Sequence, residues 1–265
     1  VTRSTIVSLI TVIAAVAVVV VWTWSGLPGP AAACAATDAC DCEAVGAGPI
    51  RQPFNAWSSS ALVAAGLWVM ASAPRRRRGW DGALGAAIVA SGLAAFAAHA
   101  SATAWAYRAD GAAIVLFTAL LAGHEWAPDL DPLRAAALAV PAAALTGLGG
   151  AMGTNAAATV LGVAVLAAQW WRHRERRRGP AVVAGALLGG GAVIRLLGDS
   201  GGPWCVPDSP LQAHAVWHLL AAAGLTALVC YMRSGRTPNS PIRPIRPELR
   251  FLRLLSSLWH IGGTG

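Results

Sequence analysis

The chain has 265 residues, of which 56% are hydrophobic and 12% charged, and a formal net charge of +8. A soluble domain of this size needs more polar surface than that, so the composition excludes one and points to a membrane protein folded as a single bundle. The positive charge is carried by arginine alone and lies between apolar stretches, so it reads as a topology signal and not as a nucleic-acid footprint.

Taken in chain order, apolar stretches long enough to cross about 30 Å of hydrocarbon fall near 5–24, 56–73, 82–105, 110–126, 132–150, 154–171, 180–198 and 211–232. They predict an all-α, polytopic bundle of eight transmembrane helices. The first stretch, with residues 1–26, reads as a retained anchor. A cleavable signal peptide is the competing reading, since small residues follow near Ala31. Residues 27–54 form a cysteine-containing segment and 55–232 the core. Residues 233–265 form a Pro- and Arg-rich tail, in which 249–261 matches a helix lying on the membrane surface as well as it matches a disordered basic tail.

Arginine placement sets the expected orientation. With the N-terminus cytoplasmic, Arg3, the run Arg75, Arg76, Arg77 and Arg78, then Arg134, and the cluster from Arg172 to Arg178 all fall inside. Only Arg51, Arg108 and Arg195 fall toward the outside. Trp57, Trp105 and Trp204 then mark the outer interface, and Trp80, Trp126 and Trp170 the inner one. The expectation is a bacterial cytoplasmic-membrane protein with both termini inside. Cys34, Cys40, Cys42 and Cys205 then share an oxidising compartment and permit two disulfides in any of three connectivities. Cys42 with Cys205 is preferred, because it ties the segment before the second span to the segment before the last.

Ionisable groups inside a bilayer are costly, so each one marks a functional hypothesis. His214 and His218 stand one helical turn apart at the start of the last span. His99 lies near the outer end of the third span, and Asp110 at the outer start of the fourth, so all four share one depth. Three neutral imidazoles and an open position make a catalytic zinc site, where metal-bound water has a pKa near 7. Asp110 is the carboxylate placed to orient or deprotonate that water. His124 and Glu125 read as a solvated helix end, Arg195 as a partner of Asp199, and Asn55 as a helix cap or a residue of the site entrance.

The segments Gln52-Pro53-Phe54-Asn55-Ala56-Trp57-Ser58, His99 with Asp110 eleven residues on, and Gln212-Ala213-His214-Ala215-Val216-Trp217-His218 resemble the signatures of alkaline ceramidases and their bacterial relatives in the CREST superfamily of membrane hydrolases. The resemblance covers roughly residues 40–232 and leaves the first span as an N-terminal addition. It implies a seven-helix core whose intramembrane zinc, held by His99, His214 and His218, hydrolyses the amide of a ceramide-like membrane lipid to a fatty acid and a long-chain base. In that pattern Asp110 holds the metal water, on the exoplasmic side.

Two departures stand out. Ala95 occupies the place of the family's serine, four residues before the first histidine, with Thr103 as a substitute one turn after His99. The family's calcium site retains Glu43, but Gln52 replaces a glutamate and Asp41 is displaced by one position, which leaves few carboxylates to hold a calcium ion.

Overall fold

In the computed structural model, which describes residues 41–127, 129–148 and 178–234 together with residues 17, 21, 25, 26, 29–34 and 162, the first continuous element is a short helix, α1 (Pro53–Ser58). Pro53 stands in its first turn, where a missing N–H costs nothing. The Glu43 carboxylate accepts the orphan N–H groups of Phe54 and Asn55 at 2.8 Å each. After Ser59 the chain continues as α2 (Ser60–Ala71). A 3-10 turn, Arg75–Arg77, leads into α3 (Arg78–Ser101), followed by α4 (Ala104–Trp126), α5 (Pro132–Leu148), α6 (Arg178–Gly198) and α7 (Ala213–Ser234).

The architecture is therefore helical, and five segments are long and apolar enough to cross a membrane: Pro53–Ala71, Arg75–Ser101, Ala104–Trp126, Gly179–Gly198 and Ala213–Ser234. These coincide with expected spans near 56–73, 82–105, 110–126, 180–198 and 211–232. The fourth expected span starts earlier than hydropathy indicated, at Ala104, because Arg108 and Asp110 are accommodated inside the helix. The expected span near 132–150 is described as far as Leu148, as an apolar helix that carries Pro141 inside it. The first expected span, the stretch 154–171, Cys40 and the tail beyond Ser234 lie outside the described residues, and so the seven-plus-one helix count rests on the sequence alone.

α3 is the central helix and packs against α1, α2, α4 and α5, while α7 packs against α1, α2 and α6. Small residues make the close approaches, as expected where lipid offers no hydrophobic drive for association. A Cβ on Gly66 of α2 would meet the Gly85 carbonyl oxygen at 2.5 Å, and one on Gly92 would meet the backbone nitrogen of Val63 at 2.8 Å. Gly85 and Gly92 are two turns apart on one face of α3, so the two backbones touch along a ridge. Gly66→Ala is therefore expected to destabilise the fold by about 1–3 kcal/mol through overpacking. Gly82→Ala, whose Cβ meets nothing within 4 Å, should be neutral; thermal unfolding in detergent compares the two.

One end of the bundle is held by buried charge. Asp81, fully buried, accepts a 3.0 Å bond from Arg233 Nε and lies 3.8 Å from Arg77 Nε. Arg233 also donates to Ser72 Oγ and to the Val69 carbonyl, and Arg77 donates to the Met232 carbonyl and contacts His124 Nε2 at 3.0 Å. His124 Nδ1 stands 3.2 Å from Glu125. Both residues are only 6% exposed, which corrects the reading of this pair as a solvated helix end: Arg77, from the 3-10 turn before α3, packs over them.

At the opposite end α3 stops at Ala102, which adopts a left-handed φ of 51°. Pro30, Ala31 and Ala32 lie along this turn, with Ala32 N donating to Ala102 O and Ala104 N to Pro30 O.

Candidate metal centre

Three imidazoles meet where the last turn of α3 adjoins the first turns of α7. His99 projects from α3, and His214 and His218 stand one turn apart on α7. Their ring centroids are 4.8 Å (His99 to His214), 5.3 Å (His99 to His218) and 4.7 Å (His214 to His218) apart. One ligand atom from each lies within 4.8 Å of the others, and the residues are 1%, 4% and 3% exposed.

Their outer nitrogens are already committed. His99 Nδ1 lies 2.9 Å from Gln52 Oε1, and the Gln52 amide is oriented because its Nε2 donates to the Glu43 carbonyl at 2.7 Å. An amide oxygen only accepts, so His99 carries its proton on Nδ1. His218 Nδ1 faces the Asn55 carbonyl at 3.2 Å and Ser58 Oγ at 2.9 Å, while both Ser58 and Ser59 donate their hydroxyls to that same carbonyl. This likewise places the His218 proton on Nδ1. His214 Nδ1 lies 3.2 Å from Asp41 Oδ1 and 3.8 Å from Asp199 Oδ1. These are charge contacts, since His214 Nδ1 has no aligned hydrogen bond.

His99 and His218 thus direct Nδ1–H to an outer acceptor, and His214 turns its Nδ1 toward the Asp41 carboxylate. His99 Nε2 is buried without a partner. A buried unpaired acceptor is costly, and a metal ion satisfies it. The three side chains therefore fit a metal ion, and His99 and His218 carry the outer-sphere hydrogen bonds that ligating histidines ordinarily have.

Of the other residues singled out from the sequence, Asp110 lies on α4 nearly two turns in from Ala104, within electrostatic reach of His214, Arg195 and Asp41. Ala95 is buried one turn before His99. Thr103 does not continue the face of His99, because α3 ends at the left-handed Ala102; its hydroxyl pairs with Ser101 Oγ at 2.8 Å. Asn55 is fully buried, its carbonyl serving His218 while its side-chain Oδ1 and Nδ2 find no partner. Glu43 caps α1, and burial pushes its carboxyl up despite the two amides that favour its charged form. It belongs to neither of the two groups able to hold a metal among the described residues, which are His99, His214, His218 and Asp41, Asp199, His214.

Cys42 is bridged to Cys205, with Cα atoms 5.5 Å apart and a sequence separation of 163. The bridge, the bond from Cys42 N to Ser200 Oγ and the bond from Ala44 N to Pro207 O fasten the segment before α1 to the segment before α7. The expected Cys34 and Cys40 pairing involves a residue outside those described.

Sequence reasoning missed the outer ring of the site. Asp41 reads as a displaced calcium ligand, yet it stands beside His214 and His99, 3.2 and 3.9 Å from their Nδ1 atoms. Gln52 reads as a lost glutamate, yet its amide orients His99. Arg195 lies 3.9 Å from Asp199, as the i, i+4 spacing indicates, and also 3.7 Å from Asp41. Burial opposes ionisation of Asp41, but its contact with His214 and the nearby Arg195 guanidinium hold its carboxyl well below the usual carboxylate range. Comparison with protein-family models, with curated proteins and with solved structures finds no match to the chain.

Proposed function

We propose that this chain is a zinc-dependent membrane hydrolase of the alkaline ceramidase type, cleaving the amide bond of a ceramide-like lipid. The observation that carries the reading is the set of three buried imidazoles whose ligand atoms lie within 4.8 Å of one another, with His99 Nε2 buried and unpartnered. Three histidine ligands with a further position open to water are the arrangement of catalytic zinc rather than structural zinc. When bound there, zinc supplies a Lewis acid able to activate water at neutral pH. Gln52, the Asn55 carbonyl and Asp41 orient the three rings, and Asp110 takes the proton of the attacking water. The site lies at the ends of apolar helices, on the exoplasmic side in the orientation set by the arginines, so a lipid enters laterally with its amide near the interface.

A second reading, a receptor or scaffold of the same fold that keeps the metal for structure, is favoured by Ala95, which offers no hydroxyl one turn before His99. Fatty-acid release from a panel of lipid amides separates the two. The purified protein should release fatty acid, lose this activity on chelation and regain it with zinc. Asp110→Asn should keep the metal while lowering turnover by about 100- to 10,000-fold, the span expected for a lost general base. Metal present with no hydrolysis of any lipid amide would establish the scaffold reading.

A further inference from the structure

Beyond the three histidines, one carboxylate is placed with unusual constraint. Asp41 belongs to no helix. It and Cys42 have φ values of 51° and 68°, in the left-handed region that non-glycine residues seldom occupy. What holds them there is the Cys42–Cys205 bridge, together with the bond from Cys42 N to Ser200 Oγ. The result is a carboxylate 14% exposed, with Oδ1 at 3.2 Å from His214 Nδ1 and at 3.7 Å from Arg195 Nη2, and Oδ2 at 3.9 Å from His99 Nδ1. The Tyr107 hydroxyl donates to Gln52 Oε1 at 3.2 Å, which braces the same amide that orients His99. Asp199 stands farther from His214 Nδ1, at 3.8 Å, and is 37% exposed.

We infer that Asp41 is the positioning residue of the metal centre, the carboxylate that fixes the proton and ring orientation of His214, and that the Cys42–Cys205 bridge serves to deliver it. The inference rests on the reading of His99, His214 and His218 as metal ligands. Its chemical logic is that a carboxylate on the far nitrogen of an imidazole fixes the tautomer and raises the basicity of the ligating nitrogen. His99 and His218 receive neutral acceptors, an amide oxygen and a backbone carbonyl, so Asp41 is the anion among the three. Asp41, Asp199 and His214 also form a group able to hold a metal. The Arg195 guanidinium, 3.7 Å from one carboxylate and 3.9 Å from the other, already supplies positive charge there, which favours positioning over a second ion.

The test uses the full chain in detergent, loaded with zinc or cobalt(II), and compares wild type with Asp41→Asn, Asp41→Glu and Asp199→Asn. Asparagine tolerates a left-handed φ, so Asp41→Asn should fold, with unchanged helicity and no new free thiol. Zinc affinity, read by competition with a chromophoric chelator, should fall about 10- to 100-fold in Asp41→Asn. Its cobalt absorption bands should shift, and Asp41→Glu, which keeps the charge, should recover part of the loss. Asp199→Asn, whose carboxylate stands farther from His214 Nδ1, should lose less affinity than Asp41→Asn. Wild-type affinity and an unshifted cobalt spectrum in Asp41→Asn would overturn the inference, as would two metal ions per wild-type chain with one lost in that variant. A wild-type chain that binds no metal would instead remove the reading of the three histidines on which the inference stands.

Discussion

His218→Ala is expected to lose metal by more than about 100-fold in affinity, since disturbing an outer-sphere partner alone costs 10- to 100-fold, and to lose hydrolysis with it. The apo fold should change far less. Ser58 and Ser59 still donate to the Asn55 carbonyl without the ring, so α1 keeps much of its attachment to its own turn. The melting temperatures should therefore diverge only when metal is added. A ligand at 100 times its dissociation constant stabilises a native state by about 2.7 kcal/mol, a gain that wild type shows and His218→Ala does not. Metal analysis with melting curves at rising zinc concentration makes the measurement. An unchanged metal content in the variant would remove His218 from the ligand set.

Asp81→Ala is expected to lower stability by about 3–5 kcal/mol, the cost of breaking a buried ion pair from one side. The size follows from what remains. The Arg233 and Arg77 guanidiniums stay at 14% and 7% exposure after the carboxylate between them has gone. Combining Asp81→Ala with Arg233→Met should recover part of the loss, because removing both charges is far cheaper than removing one. The site itself should be spared. Asp81 and His99 lie on the same helix, 18 residues apart, which is about 27 Å along its axis. Thermal unfolding should thus fall while zinc affinity per folded molecule holds.

The parts of this protein legible in the sequence are those written locally. Hydropathy located the helices at Arg78–Ser101 and Ala213–Ser234 because a lipid-facing surface leaves long apolar runs, and the four-residue spacing of His214 and His218 places two rings on one face whatever surrounds them. The pairing of Cys42 with Cys205 was also anticipated. The outer ring of the site was not. Asp41 reaches His214 through two left-handed residues and a covalent link spanning 163 positions, and neither leaves a periodic trace. The burial of His124 and Glu125 escaped for a related reason: position at a helix end suggests exposure, and only the packing of Arg77 from the turn before α3 reverses it. Thr103 shows the converse error, since a helical face was extended past Ala102, where the backbone turns left-handed.

The link between Cys42 and Cys205 has a consequence for biogenesis. At ribosomal rates of about 5–20 residues per second, the sequence separation of 163 takes about 8 to 33 s to synthesise. Throughout that interval the first thiol waits near Cys34 and Cys40, open to premature capture. Maturation of the candidate metal centre is thereby deferred until the segment carrying His214 and His218 is made, and it depends on a cellular oxidant to close the ring. A host lacking such an oxidant would accumulate inserted chains that are immature at the end of the bundle that carries the three histidines.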